Sequence, residues 1–372
     1  MEFHAIRGEL LNELQLMMGV IEKKNTMPIL ANVLILAEDN QLVLKASDLE
    51  VGIITLCPAQ IIEPGEFTVH AKQLFDMLNT FSDNQVSFSM SEGSMLDLVC
   101  GNAQFSIETM SPLDFPSIPE GDFTQGIRFQ IGFFDQCISK VLFSVSSDPH
   151  KYALNGALFN VQGGELNFVS TDGHRMSIVA KELGPDFADL DIIIPRKALI
   201  ELKKSLQVED AEDEFLMAFS ENRIFFKVGL RTLFSRLIDG KFPDYHKAVP
   251  LDNDKRFILD RNEFLNILRR KSVLSSDKSK LVRFTFSQGQ LTVVLKNSER
   301  GESIDKMDID YDGDKLDVGF NVDYIQNFLK NTNHEKIEFN VKDEASQGLF
   351  RIAEEELDFD YKHVIMPMRL TG

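Results

Sequence analysis

The chain has 372 residues, 43% of them hydrophobic and 26% charged, with a formal net charge of −19 at neutral pH. That length allows two or three domains, each able to bury a core of its own. No apolar run reaches the ~18 residues of a membrane-spanning helix, and the acidic excess looks hostile to nucleic acid, although a summed charge does not say where the charges sit.

The opening MEFHAIRGEL has no basic segment leading into an apolar stretch, so no signal peptide is expected. Cys57, Cys100 and Cys137 are scattered without paired spacing. They read as buried free thiols in a reducing, cytoplasmic setting.

Taken in chain order, the elements repeat. Phe3 marks a first strand, followed by an amphipathic helix with Leu10, Leu14, Met17 and Met18 on one face. A hairpin over 34–48 precedes a second helix carrying Leu74 and Met77, and a further hairpin covers 86–100 before FPSIP (115–119). The plan restarts at Phe129. A helix there carries Phe134, Ile138, Val141 and Leu142, then come a hairpin over 158–172, a helix with Leu199 and Leu202, a hairpin over 214–228, and FPDYHKAVP (242–250). The third copy begins at Phe257, with Phe264, Ile267 and Leu268 on its first helix. A hairpin over 282–297, a helix with Ile325 and Phe328, and a looser closing FDYKHVIMP (359–367) follow.

The spacing is roughly 126 residues, far beyond the ~20–50 residues of a solenoid unit. The copies are therefore whole domains, with boundaries expected in PEGDFTQG (119–126) and PLDNDK (250–255), giving domains 1–125, 126–251 and 252–372. Each reads as α+β, antiparallel sheets covered on one face by two helices. Three copies of one domain suit a protein selected for its shape better than one built around a single asymmetric cleft.

Acidic residues collect in the expected loops, at 208–214, 308–314 and 353–360. Basic residues lie on or beside the helices: Lys23 and Lys24, then Arg196, Lys197, Lys203 and Lys204, then Arg261, Arg269, Arg270 and Lys271. These are either solvated outer faces or a shared basic surface.

STDGHRMS (170–177) is the segment that most resembles a chemical motif. Asp172 and His174 offer two metal ligands or an acid–base pair, and Arg175 an anion contact. No second His/Cys/Glu cluster at metal spacing accompanies them, and G-x-S-x-G, Walker A, G-x-G-x-x-G and H-E-x-x-H motifs are absent from the sequence. Asp172-Gly173 is also an ordinary turn signal. A structural turn, a binding surface and a metal-dependent hydrolase all stay open on these residues. A repeat-built structural protein is a further alternative. The apolar run HVIMPMRL (363–370) must be buried against something, as a last strand or as the Met-rich lining of a groove.

Taken in order, YALNG (152–156), STDGHR (170–175), IIPRK (193–197), DGKFPDY (239–245) and VIMPMRL (364–370) resemble the bacterial DNA polymerase III β subunit, the replicative sliding-clamp family. TMPILANVLI (26–35) and SDLEVGI (47–53) extend the resemblance over the whole chain. It implies a non-enzymatic processivity factor without cofactor or metal, in which two subunits join head to tail into a ring of six similar domains around double-stranded DNA.

The resemblance also implies a peptide groove between the second and third domains. Its matching positions are Leu154, Thr171, Gly173, His174, Arg175, Met176, Pro243, Lys247, Val364, Met366, Pro367, Met368 and Arg369. Replicative polymerase, clamp loader, and repair and mismatch proteins would share this groove through short motifs of the form Gln-Leu-x-Leu-Phe. Lys24, Lys151 and Tyr152 match DNA-contacting positions. Phe105 and Ile107 on one edge, with Val273 and Leu274 on the other, match the homodimer interface. Lys247 stands where members often carry a second Arg, Asn102 and Gln104 replace basic residues of some members, and Thr371 and Gly372 extend past Leu370.

Overall fold

The computed structural model describes residues 1–21, 27–91, 94–185, 187–276, 280–354 and 357–370. Six α-helices occur among the described residues: α1 Arg7–Met17, α2 Ala71–Thr80, α3 Ile131–Val141, α4 Arg196–Leu206, α5 Arg261–Leu274 and α6 Val322–Lys330. Each begins on the residue after a strand, so the strand's last residue is the helix cap. Ahead of α2, α5 and α6 the side chain of that residue accepts from a backbone amide. Asp260 accepts from the Glu263 amide at 2.8 Å and Asn321 from the Asp323 amide at 3.0 Å, each satisfying an amide the helix leaves unpaired.

The buried helix faces match the apolar spacing with three differences. Met18 lies just past the end of α1 and is half-buried, while Leu16 joins Leu10, Leu14 and Met17 inside. On α2 the buried pair is Leu74 and Leu78, which stack four residues apart, and Met77 sits at the side of that stripe. Leu142 opens a short 3-10 turn after α3 and is only half-buried. The five hairpins fall where alternation and turn residues place them, at Asn32–Glu38 with Gln41–Ser47, Gln85–Ser91 with Met95–Cys100, Gly156–Gln162 with Glu165–Thr171, Glu214–Ser220 with Arg223–Val228, and Leu281–Ser287 with Gln290–Asn297.

The repeat is visible in the cores. Phe3 stacks on Phe88 at 4.6 Å between centroids, Phe129 on Phe215 at 6.0 Å and Phe257 on Phe286 at 4.0 Å. Each marker phenylalanine is buried, a contribution of about 2–3 kcal/mol apiece.

Two compact units are formed, and they divide the middle copy. The first comprises Met1–Asp135 with Lys197–Leu237, the second Gln136–Arg196 with Ile238–Gly372. In the first, one strand path runs from Ala103–Glu108 through Met95–Cys100, Gln85–Ser91, Glu2–Ile6, Val51–Glu63, Arg231–Arg236, Arg223–Val228 and Glu214–Ser220 to Ile127–Gln130. The 13-residue strand Val51–Glu63 serves two neighbours in turn. Its N-terminal half pairs with Gln41–Ser47 and Arg231–Arg236, its C-terminal half with Glu2–Ile6. Pro58, which has no N–H for a ladder, stands at the changeover.

In the second unit an eight-stranded antiparallel sheet runs Leu190–Pro195, Gly156–Gln162, Glu165–Thr171, Arg175–Glu182, Asp360–Ile365, Gly348–Ile352, Lys336–Val341, Lys255–Asp260. The tail strand is thus inserted between strands of the middle and last copies. A four-stranded sheet, Gly301–Asp308, Gln290–Asn297, Leu281–Ser287, Leu316–Asn321, completes the unit.

A largely buried charge cluster fastens the first unit. Arg231 reaches Glu13 with Nε at 3.0 Å and Nη2 at 2.5 Å, and Glu209 with Nη1 at 2.5 Å, while the Thr55 hydroxyl donates to Glu13 at 2.6 Å. The bidentate geometry satisfies both charges, and although burial opposes it, the two carboxylates hold the guanidinium above its ordinary range. Arg231→Met strands Glu13 and should cost about 3 kcal/mol, seen as a lower urea midpoint. The double variant E13L/R231M should recover most of that loss.

Candidate partner-binding groove

The site is built around the turn that joins Glu165–Thr171 to Arg175–Glu182. Asp172 Oδ1 accepts from the amides of His174 (2.9 Å) and Arg175 (3.1 Å), and Oδ2 accepts from Arg175 Nε at 3.0 Å. Thr171 Oγ1 donates to the Arg175 carbonyl at 2.7 Å and accepts from the Gly173 amide at 3.0 Å. Lys151 Nζ donates to the Asp172 carbonyl at 2.7 Å. Gly173 adopts φ +90°, a conformation open to glycine at little cost. Both oxygens of Asp172 are spent on the turn, so it has no lone role as a base for His174. Among the described residues, no three His, Cys, Asp or Glu side chains lie together as a metal site.

Arg175 is fixed from both sides. Its guanidinium lies 4.4 Å from the Tyr324 ring centroid and 5.4 Å from that of Phe143, whose carbonyl accepts from Nη2. Behind it a polar chain crosses the core, from Ser144 Oγ to Ser177 Oγ at 2.9 Å and on to His363 Nδ1 at 2.9 Å. Burial, reinforced by the Arg175 charge, lowers the His363 pKa to about 3, so the ring is neutral at neutral pH.

The tail lies beside this turn. Arg175 is in register with Ile365, Met176 with Val364 and Ser177 with His363. The Met366 amide then donates to the His174 carbonyl at 2.9 Å, and the Met368 amide to the Gly319 carbonyl at 2.7 Å. Between turn and tail opens a mainly apolar groove of about 190 Å³.

Nine positions named from sequence line it: Leu154, Thr171, Gly173, His174, Arg175, Met176, Pro243, Val364 and Met366. Four do not. Lys247 is not part of the lining but pairs at 3.0 Å with Asp244, which is; Pro367, Met368 and Arg369 continue past the lining, with Arg369 exposed. Phe242, Asp244, Tyr245, Ala248 and Gln347 complete the wall. Four of them lie in or beside DGKFPDY, whose aromatic residues were the available signal. Gln347 had none. Phe242 and Tyr245 belong to the same buried cluster as Met176 and Val364, so the groove is an opening onto the core.

Of the residues matched to DNA contact, Lys151 is engaged with the turn, Tyr152 is 59% exposed and Lys24 lies outside the described residues. Thr371 and Gly372 also lie outside them. Phe105 packs on Phe81 at 5.5 Å along Ala103–Glu108, which pairs on one side only among the described residues. Ile107 is 4% exposed within a single chain, whereas Val273 is 75% exposed and Leu274 half-buried. An aspartate at Ile107 would therefore injure the chain's own core, and Leu274 is the cleaner probe of an interface.

Half of the basic residues named on or beside the helices are paired locally. Lys197 binds Asp48, Lys203 binds Asp135, Lys204 binds Glu201, and Arg270 and the fully buried Lys271 bind Asp305. Among the described residues, no helix is long and apolar enough to cross a membrane.

Three repeated antiparallel domains, with an apolar slot beside a pinned tail, define the architecture. The sequence matches the DNA polymerase III beta subunit family throughout, its N-terminal domain over residues 1–119, central domain over 130–244 and C-terminal domain over 246–369. A beta sliding clamp of Pseudomonas aeruginosa is 32% identical over the full length of both chains. The crystal structure of the Pseudomonas aeruginosa DNA polymerase III subunit beta superposes with a TM-score of 0.90, covering 100% of each chain. A DnaN sliding clamp from Bartonella birtlesii bound to griselimycin, 30% identical and with full coverage of both chains, gives 0.93. The chain belongs to the DNA polymerase III beta subunit family. It is a sliding clamp, a processivity factor and not an enzyme.

The neutral His363 has a consequence for stability. Its folded pKa lies below the ordinary 6.5, so between about pH 6.5 and 3 the unfolded chain takes up a proton that the folded chain refuses. Stability is then lost as pH falls through that window, by up to about 1.4 kcal/mol per pH unit. Urea midpoints measured from pH 7 to 4 should fall less steeply in His363→Asn than in the parent. Equal slopes would rule out His363 as a contributor.

Proposed function

We propose that two copies of this chain form a closed ring around duplex DNA and slide along it, tethering the replicative polymerase, the clamp loader, and repair and mismatch proteins through the groove between turn and tail. The groove geometry carries this reading. Its apolar walls admit a Leu or Phe anchor, while exposed backbone and His174 at the rim suit a few directional hydrogen bonds. Relatives crystallised with griselimycin bound support a family surface that takes ligands.

Ring closure is assigned to the singly paired edges Ala103–Glu108 and Gly301–Asp308, with Phe105, Ile107, Val273 and Leu274 supplying the apolar part. Strand addition across two such edges satisfies backbone groups that one chain leaves unpaired. Domain boundaries are placed at 125/126 and 251/252, and the protein is assigned to the cytoplasm. Lys24, Lys151 and Tyr152 are assigned weak DNA contacts. Retention by enclosure needs no strong ones, and the net charge of −19 keeps DNA off the outer surface.

A labelled Gln-Leu-x-Leu-Phe peptide titrated with the protein and followed by anisotropy should saturate near micromolar Kd, about −8 kcal/mol. Absence of binding up to roughly millimolar would remove the groove assignment. In dilute sedimentation runs Leu274→Asp should be monomeric, because ring closure would bury an unpaired carboxylate. A Leu274→Asp dimer would remove that interface.

A further inference from the structure

A second, larger hollow of about 820 Å³ lies in the same unit. Tyr245 and His246 belong to its wall, and Tyr245 also lines the anchor groove, so the two cavities share one side chain as a partition. Its floor is a sheet face. Across three strands, Ile178 faces Lys362, Ala180 lies between Asn167 and Asp360, and Glu182 faces Glu165. Leu251, 94% exposed, and Val249 supply an apolar rim on one side, with Phe359 on the other.

The charges within it are unevenly settled. Lys181 pairs with Asp358, and Lys362 with Asp360 at 2.7 Å. Glu165 and Glu182 are in register across the strands; Glu165 Oε1 accepts from Asn167 Nδ2 at 3.0 Å, and among the described residues neither carboxylate is in an ion pair. Facing like charges on a sheet are repulsive, and a cation from outside would relieve them. Burial, with Glu165 adding its field, pushes the Tyr245 phenol up to about 12, so the partition stays neutral.

We propose that this hollow receives the stretch of a partner chain adjoining its anchor residues, and that the preferred stretch carries lysine or arginine together with an apolar side chain. The cation sits against Glu165 and Glu182, and the apolar group covers Leu251 and Val249. This rests on the reading of the anchor groove as a peptide site, and it extends that site past Tyr245. Because the two cavities adjoin at Tyr245, the second contact is intramolecular once the anchor is seated, and a weak interaction there adds to affinity.

The test compares the Gln-Leu-x-Leu-Phe peptide alone with versions carrying a six-residue arm at either end. The arm holds two lysines and a leucine, or two glutamates and a leucine. One of the two lysine arms should tighten Kd about five- to tenfold over the core peptide, with the gain lost in 0.5 M salt and in the exposed double variant E165Q/E182Q. The glutamate arms should bring no gain. No gain from either lysine arm, or a gain that survives E165Q/E182Q, overturns the proposal while leaving the anchor groove intact. Failure of the core peptide itself to bind overturns the groove reading, and this extension with it.

Discussion

The antiparallel pairing of Arg175–Glu182 with Asp360–Ile365 is the interaction on which the site depends. It joins chain segments almost two hundred residues apart, and its register decides what the groove is made of. A slip of one residue turns every side chain of the tail strand to the opposite face. Val364 would then leave Met176, and His363 would leave Ser177 for a position away from the core. The buried Ser144–Ser177–His363 chain holds the register, because a slip would take the ring from the buried Ser177 hydroxyl and break the chain at that link. Polar groups inside the core thus specify an arrangement that apolar packing alone would leave open to sliding.

The first unit obeys the same constraint by other means. There Val51–Glu63 meets the middle copy along Arg231–Arg236, and Arg231 extends from that junction to Glu13 on α1 and to Glu209. Both units therefore splice strands of neighbouring copies into one sheet and lock the splice with a polar cluster that has little tolerance for displacement. The middle copy is divided between them, since each of its sheets is completed by a neighbour.

Much of this was legible in the sequence because it is local. Hairpin positions follow from alternation and turns of two or three residues, and the three marker phenylalanines expose the repeat directly. The buried helix faces were legible to within one residue. Met18 and Met77 were misplaced because apolar character was counted where the angular position about the helix axis decides burial. The turn at Asp172-Gly173-His174 was legible as a turn, but its dependence on Lys151 and Thr171 was not, since nothing in spacing shows which donor reaches a carbonyl. The tail was recognisable as buried, and the resemblance supplied its neighbour. Lys247 shows the limit of position-by-position matching. Lys247 is outside the lining and reaches the groove only through its pair with Asp244, an outcome set by two side chains three residues apart and invisible in either alone.

The paired helix cations bear on how such a protein holds a polyanion. A binder that works by contact needs unpaired lysines and arginines, and its affinity falls steeply with salt as counterions are released. Here Lys197, Lys203, Lys204, Arg270 and Lys271 are paired within their own chain, which reduces the charge left to grip with, while Arg196, Arg261 and Arg269 have no carboxylate partner among the described residues. On the enclosing-ring reading this is an advantage. Each strong phosphate contact would be a barrier to be broken at every base-pair step, whereas a ring is retained by its closure and moves freely in proportion to the weakness of its contacts. A net charge of −19 and the local pairing of these helix cations then serve one end. On that reading the duplex is kept by topology, and specific adhesion is reserved for the face beside the tail.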